Sequence, residues 1–407
     1  MPSIPHTGTK GELPWYHPAS QAQPAHSFPV NGGRPVRAFP RGSSQANTAA
    51  LPEPACSRRP ALSDGGVRCR FSCSSHFSLD APIYTTQKRN LQALFSPDAT
   101  KKAEIAIDKC AILYKNNAQG RDTVFAIDRD YVKSALPARD PAGHKGTFGK
   151  VCLLGGSVGY TGAPVLCARG AVRGGCGLVF LGVPQEVWPI AAVKCDEAMP
   201  FPLPSAEGRL SLDAEAELRR RTAGCDVLAI GCGMGRGDET GALTRRLLTM
   251  GLPLVLDADG INALSGHIDE LSCRRSLVTV LTPHDGELAR IGGDMAAPRE
   301  SAASDFAVRH GVYLVRKGRR TVVAAPDGRL AVNTTGNDGM AKGGSGDVLT
   351  GLLASLLAQG TEPFAACCAA VWLHGRAGDL AAMEKGHRGM TPVDMIEKLP
   401  YALKEVE

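Results

Sequence analysis

No uninterrupted apolar run in this 407-residue chain reaches the roughly 18 residues that a membrane-spanning helix needs. None of its thirteen cysteines stands in a CxxC pair, and Cys69 and Cys73 have no second pair at zinc-finger spacing. A zinc module therefore has no support. The cysteines of the apolar segments, Cys152, Cys167, Cys225, Cys367 and Cys368, read as reduced, buried small hydrophobes. That suits a reducing compartment, so a cytoplasmic location is expected. A basic face for nucleic acid is also lacking. The net charge is +6, but residues 1–120 carry 14 Lys+Arg against 7 Asp+Glu, which leaves 32 against 33 for residues 121–407. The basic excess belongs to the amino-terminal part, and nucleic-acid binding gets little support.

Residues 1–80 are rich in Pro, Ser and Gly, with an arginine-rich stretch at "CSRRPALSDGGVRCRFSCSS". This composition predicts a disordered extension. An organelle transit peptide, a mis-assigned start or a plain flexible tail would each fit, although the prolines argue against the amphipathic helix of a transit peptide. Residues 81–120 are only weakly helical in pattern, so the expected division is an extension over 1–120 and one α/β domain over 121–407. Within 121–407, short apolar runs alternate with helical ones. "KVCLLGG", "GLVFLGVP", "DVLAIGCG", "PLVLDADG", "VTVLTPH" and "VYLVRKG" are continuous apolar strands ending in Gly, Asp or His. Such strands suit a mostly parallel sheet covered by helices on both faces. "APVLCARGAVRGG", "DAEAELRRRTAG" and "ETGALTRRLLTMG" have helical spacing and end in glycine. "RTVVAAPDGRLAVN" predicts a hairpin through Pro326-Asp327-Gly328, followed by helices over Ser345–Gln359 and Pro363–Met383. The unusual residues fall at strand ends: Gly155–Gly162, Gly231–Gly237, Asp257–Asp259, Pro283–Asp285 and Lys317–Gly318. In open parallel sheets that edge is where ligands bind.

Two familiar motifs fail on inspection. "IGCGMGRG" has Arg236 or Asp238 where a dinucleotide fingerprint needs its third glycine, and "GTFGKV" has Val151 where a P-loop needs Ser or Thr. "GNDGMAKGGSGDVLTG", Gly336 to Gly351, is more informative. The proline-free pattern after it places Gly344–Asp347 in the first turn of a helix. The free amides of that turn, added to the helix dipole, make an anion site suited to phosphate. Asp347 would stand beside the phosphate, able to take a proton from an attacking hydroxyl. The plainer alternative is a tight glycine turn with Asp347 as a helix cap.

Taken together, "HKGTFGKVCLLGGSVGYTGAPVLCARGAVRGGCGLV", "GCGMG", "LDADGINAL", "LTPHDGELARI", "VRKGRRTVVAAPDG" and "GNDGMAKGGSGDVLTGLLASLLAQG" resemble the NAD(P)H-hydrate dehydratase family of the ribokinase-like superfamily. The resemblance runs in order over about residues 127–402. It implies a three-layer ribokinase-like α/β fold and a metabolite-repair hydro-lyase. Such an enzyme returns the S-epimer of hydrated NADH or NADPH to the intact cofactor by phosphorylating the ring hydroxyl and eliminating phosphate. By the same resemblance, Asp347 is the base and contacts the hydrate. Gly346 and the segment Lys317, Gly318, Arg319, Arg320 and Thr321 contact the nucleotide. Ala163, Gly235 and His284 line the hydrate pocket. ADP is the expected phosphoryl donor, with ATP as the alternative, and Mg2+ is expected with it, although no dedicated carboxylate cage is visible.

Plainer roles stand beside each of these. Ala163 and Gly235 would serve close helix–strand approach, His284 a backbone bond at a strand end, and Lys317 a solvated strand terminus. His374 and Trp372 read as packing residues. Asp285 stands where the family often has proline, and Lys342 where it often has a small residue, adding a cation beside the phosphate site. Many bacterial relatives carry an amino-terminal epimerase domain. Residues 1–120 look too short and too irregular to supply it, so a separate epimerase is the expected functional partner, and a homotetramer is left open. Two other functions remain: a ribokinase-like kinase acting on a vitamin-precursor alcohol, and a dinucleotide sensor without turnover.

Overall fold

The computed structural model describes residues 124–407 apart from Leu277. The extension expected over residues 1–120 lies outside the described residues. Twelve strands are present among the described residues: β1 (Phe125–Ile127), β2 (Lys150–Leu154), β3 (Leu178–Pro184), β4 (Met199–Leu203), β5 (Ser205–Ala206), β6 (Arg209–Leu210), β7 (Val227–Ile230), β8 (Leu254–Leu256), β9 (Thr279–Leu281), β10 (Tyr313–Arg316), β11 (Val322–Ala324) and β12 (Leu330–Asn333). Ten of them form one sheet in the order β1-β12-β11-β10-β9-β8-β7-β2-β3-β4, while β5 and β6 make a separate ribbon. Only the β10–β11 and β11–β12 pairings in that sheet are antiparallel. The mostly parallel sheet read from the apolar strands is therefore present.

The apolar runs work on two faces at once because successive side chains of a strand point to opposite sides. Val151, Leu153, Val227, Ala229, Val255, Val280 and Val315 enter the core on one face. Cys152, Leu154, Leu228, Ile230, Leu254, Leu256, Leu281 and Leu314 enter the core on the other. Burying each large aliphatic side chain contributes about 1.5–3 kcal/mol. The first face is covered by the helices Gly162–Arg173, Ser345–Ala358 and Pro363–Gly389. The second is covered by Ala214–Thr222, Asp238–Leu247 and Arg299–His310. As expected, Cys152, Cys167, Cys225, Cys367 and Cys368 are buried free thiols.

Both long carboxyl-terminal helices start where the sequence placed them. The second runs beyond Met383 to Gly389, across a break at Gly386 (φ 73°). β1, β4 and the β5–β6 ribbon were not anticipated. β4 has the sequence MPFPL, which reads poorly as a strand, yet it is an edge strand paired only with β3. Pro200 and Pro202, two residues apart, lose their N–H groups on the same side, and an edge tolerates that loss. The Pro200 carbonyl accepts a bond from the Trp188 indole N–H at 3.1 Å.

Within the first helical layer, two helices cross at glycines. A Cβ on Gly351 would lie 1.9 Å from the Cys167 carbonyl oxygen, and one on Gly170 would lie 2.5 Å from the Val348 carbonyl oxygen. The helices Gly162–Arg173 and Ser345–Ala358 therefore meet backbone to backbone. That contact sets the loop after β2 beside the glycine turn that opens the second helix.

Candidate active site

The stretch Gly336–Gly351 divides into two halves with different uses for glycine. In the first half the glycine is needed for docking. A Cβ on Gly339 would lie 2.6 Å from both the His387 carbonyl oxygen and the Met390 sulfur, and opposite it Gly375 and Gly378 admit Thr335 and Met340. Asp379 accepts bonds from the Gly336 N–H and the Asn337 amide at 3.0 and 2.9 Å. The Lys342 ammonium donates to the carbonyls of His387, Arg388 and Met390, so it is committed to the end of the long helix. The cation expected beside the phosphate site is thus directed elsewhere, because a helix end leaves several carbonyls in need of donors.

In the second half the opening is at Gly343, where no atom of the described residues lies within 4 Å of a would-be Cβ. Gly344, the helix N-cap in the left-handed region (φ 100°), packs against Leu166, and Gly351 makes the helix crossing. The amides of Gly346 and Asp347 donate to no backbone carbonyl among the described residues. The helix turn with free amides expected at Gly344–Asp347 is thus present. Directly beneath it lie two charges: a Gly346 Cβ would be 3.4 Å from the Lys317 ammonium and 3.7 Å from the Asp257 carboxylate.

Asp257 stands at the end of β8 and is almost wholly buried. It accepts from the Lys317 ammonium at 2.6 Å and from the Thr350 hydroxyl at 2.8 Å. Lys317 also faces Glu287 at 3.8 Å. Burial works against the lysine charge, and the carboxylates of Asp257 and Glu287 more than offset it, so the ammonium is held above its ordinary range. Asp347 is driven the other way. Burial first, then the Asp257 charge, pushes its carboxyl up to about 7, while the Cys232 thiol and Lys317 pull it back. A carboxyl poised near neutrality beside an open amide turn is suited to take a proton from a hydroxyl at physiological pH.

The ligand atoms of Cys232, Asp257 and Asp347 lie within 4.8 Å of one another. Two of these are hard carboxylate oxygens that suit a magnesium ion carried by a nucleotide, and the soft thiol does not.

Lys317 and Gly346, expected to contact the nucleotide, are brought close to Asp347, although the Lys317 ammonium is paired with buried carboxylates. Gly318, Arg319 and Arg320 form an exposed turn between β10 and β11, and the Thr321 hydroxyl donates to the Gly318 carbonyl at 3.0 Å. Arg299 anchors this turn by donating to the Arg316 and Lys317 carbonyls. It also joins Arg316 in gripping Asp285 at 2.8 Å each. The departure at Asp285 thus has a structural reason: partial burial opposes its charge, and the two arginines hold its carboxyl below the usual range.

His284 caps the helix Asp285–Arg290, its Nδ1 accepting from the Glu287 N–H while its ring stays half exposed. Ala163 faces the glycine loop after β7, where a Gly233 Cβ would lie 2.9 Å from its methyl group. The Gly235 N–H donates to Asp259 at 2.9 Å. Gly233 and Gly235 flank the same loop as Cys232, which links Ala163 to the Asp347 centre.

Asp257, Cys232, Glu287 and Thr350 had been given no role. Asp257 stood among the strand-end residues in "LDADG", but nothing in its neighbourhood identifies a lysine sixty residues away as its partner. His374 was read as packing and is buried, yet its Nε2 lies 2.8 Å from the Ser345 carbonyl oxygen in the first turn of the helix Ser345–Ala358.

A mostly parallel sheet between two helical layers, with an aspartate and an amide turn at its carboxyl edge, defines a ribokinase-like α/β protein. The solved structure of an ADP/ATP-dependent NAD(P)H-hydrate dehydratase from Bacillus subtilis, co-crystallised with ATP/Mg2+, matches with a TM-score of 0.60 and 30% identity, covering 70% of this chain and 100% of that one. Residues 151–401 match the family model for NAD(P)H-hydrate dehydratase, and the chain belongs to that family. The bifunctional NAD(P)H-hydrate repair enzyme Nnr of Moorella thermoacetica is 44% identical over 283 residues, 68% of this chain and 53% of that protein. The ADP-dependent (S)-NAD(P)H-hydrate dehydratase of Bacillus subtilis is 32% identical over 283 residues, 68% of this chain and 97% of that protein. The chain thus spans about half the length of the bifunctional relatives and nearly all of the shorter one. Among the described residues, no helix is long and apolar enough to cross a membrane.

Proposed function

We propose that this protein dehydrates the S-epimer of hydrated NADH and NADPH, using ADP as phosphoryl donor. The observation that carries the reading is Asp347, a carboxyl raised to about 7 in the first turn of a helix whose Gly346 and Asp347 amides are free. Hydroxide is a poor leaving group, so the ring hydroxyl must first be made a better one. Asp347 takes the hydroxyl proton as that oxygen attacks the terminal phosphorus of the nucleotide. The bond from phosphorus to the bridging oxygen breaks, and AMP leaves when the donor is ADP. The amide turn holds the transferring phosphoryl oxygens, where preorganised donors act without reorientation. Loss of phosphate from the ring, with a proton from the adjacent carbon, restores the double bond. Magnesium would neutralise charge on the phosphates, and Asp257 and Asp347 are the carboxylates that fit it.

Under this reading the nucleotide lies toward Gly346 and the turn from Gly318 to Thr321, and the hydrate toward Ala163, Gly235 and His284. The relatives named bifunctional repair enzymes support an epimerase as the functional partner. An assay of NADH hydrate, following return of reduced-nicotinamide absorbance with ADP, ATP or no nucleotide, tests the proposal. Nucleotide-dependent recovery is expected from the native protein. Asp347→Asn is expected to lose about 10²–10⁴-fold in rate while nucleotide binding persists. Nucleotide binding without recovery would shift the reading to a kinase of a vitamin-precursor alcohol. Ligand binding with a response that Asp347→Asn leaves intact would favour a sensor.

A further inference from the structure

The sheet changes direction between β2 and β7. The connection from β2 leads to β3 on one side, and that from β7 leads to β8 on the other. The crevice at such a reversal is where open parallel sheets take their ligands. Here the loop after β2 and the loop after β7 close on each other, with the Ser157 hydroxyl donating to the Gly233 carbonyl at 2.9 Å. The β5–β6 ribbon joins them: the Val158 N–H donates to the Gly208 carbonyl at 2.9 Å, and a Gly208 Cβ would clash with the Val158 side chain at 2.4 Å. That seating lays the stem of Arg209 along Gly235, where a Cβ would lie 3.1 Å from its Cδ and one on Gly237 would lie 3.3 Å from its Nε. Arg236 follows Gly235 directly in the chain. Two guanidinium groups therefore flank the crevice mouth, Arg209 beside Glu207 and Arg236 beside Asp259.

We propose that Arg209 and Arg236 form the subsite that grips the pyrophosphate of the hydrated dinucleotide. This inference rests on the dehydratase reading and extends it to the distal half of the substrate. Both guanidinium groups are held only lightly by their present partners. Arg209 pairs at 2.7 Å with Glu207, whose side chain is 82% exposed, and Arg236 stands 3.7 Å from Asp259. Exposed pairs of this kind contribute little, so a pyrophosphate oxygen making paired charge-assisted bonds would displace them. Position also selects the dinucleotide over the phosphoryl donor. The β10–β11 turn that receives the donor lies on the far side of β8 and β9 from β7, and Asp347 stands over β8 between the two flanks. From β8 to β2 is two strand spacings, about 10 Å, which is the reach of a nicotinamide nucleoside between its ring at Asp347 and its phosphate at the arginines.

The test is steady-state kinetics with the hydrates of NADH, NADPH and reduced nicotinamide riboside, using native protein, Arg209→Gln, Arg236→Gln, the double variant and Glu207→Gln. Each arginine change should raise KM for both dinucleotide hydrates about tenfold, the loss typical of a hydrogen-bonded charged contact. The value of kcat and the KM for ADP should stay unchanged, the pattern of lost ground-state binding. The riboside hydrate, which lacks any phosphate, should respond much less, and Glu207→Gln should lower KM for both dinucleotide hydrates. Unchanged KM in the double variant would overturn the subsite and leave the dehydratase reading intact. So would a penalty confined to the NADPH hydrate, which would assign the arginines to its extra phosphate. No recovery by native protein would remove the dehydratase reading and the subsite with it.

Discussion

At the scale of single residues, Asp347 sets the pH behaviour. An ordinary aspartate titrates near 3.9, and burial beside the Asp257 charge brings this one to about 7. As a base it must be ionised, so kcat/KM should rise with pH through about 7 and then level. The same shift has a stability consequence of opposite sign. The folded state binds the proton more tightly than the unfolded chain, so the contribution to stability is complete below about pH 4 and is lost as pH rises to about 7. Asp347→Asn, neutral throughout, is expected to raise the thermal midpoint at pH 8, by about 2–4 °C per kcal/mol relieved, and to change it little at pH 4. A midpoint that rises equally at both pH values would show that the carboxyl is not strained by its charge. His374 makes a second case. Burial pushes its imidazole down to about 4 and Lys317 adds to that, against the bond to Ser345, so the ring is neutral and donates through Nε2. His374→Ala should cost about 1–3 kcal/mol in a denaturant melt, since it leaves the Ser345 carbonyl without that donor.

At the scale of elements, the glycine crossing makes the sharpest prediction. Gly351→Ala would put a methyl group 1.9 Å from a backbone oxygen that has no rotamer to move. The helices must part, at a cost of about 1–3 kcal/mol or more, read as a lower denaturation midpoint together with reduced kcat. Gly343→Ala, with nothing within 4 Å, should leave the midpoint nearly unchanged and so serves as the control. The continuous strands and glycine-terminated helices were legible because each follows from local pattern. β4 was not, because its prolines argue against a strand unless one already knows it lies at an edge. The glycine-rich stretch was legible at Gly344–Asp347, where the requirement is local. It was opaque at Gly336–Lys342, where glycine and lysine serve a helix end some fifty residues away. The Lys317–Asp257–Thr350 cluster was hidden for the same reason: three distant strand and helix ends meet only after the sheet is ordered.

At the scale of the whole molecule, the proposed ligands occupy opposite flanks of Asp347. A nucleotide supplied at a hundred times its Kd should stabilise the fold by about 2.7 kcal/mol, and a thermal shift with ADP checks it. Replacing Arg319 and Arg320 with glutamine should diminish that shift while leaving any shift produced by NADPH hydrate in place. Equal loss of both would mean that the flanks are not separate. The glycine crossing also has a consequence for how such an enzyme can change over time. The loop after β2 and the amide turn each sit at the head of a helix, and the two helices meet backbone to backbone at their glycines. Removing one residue from either helix above the contact would slide its head by about 1.5 Å along its axis, a step comparable to a covalent bond. Under the proposed dehydratase function, the crossing is a ruler between phosphoryl donor and acceptor. Surface loops could lengthen without touching that distance, whereas under the proposed function the residue count from Gly162 to Gly170 and from Gly346 to Gly351 is a dimension of the reaction itself.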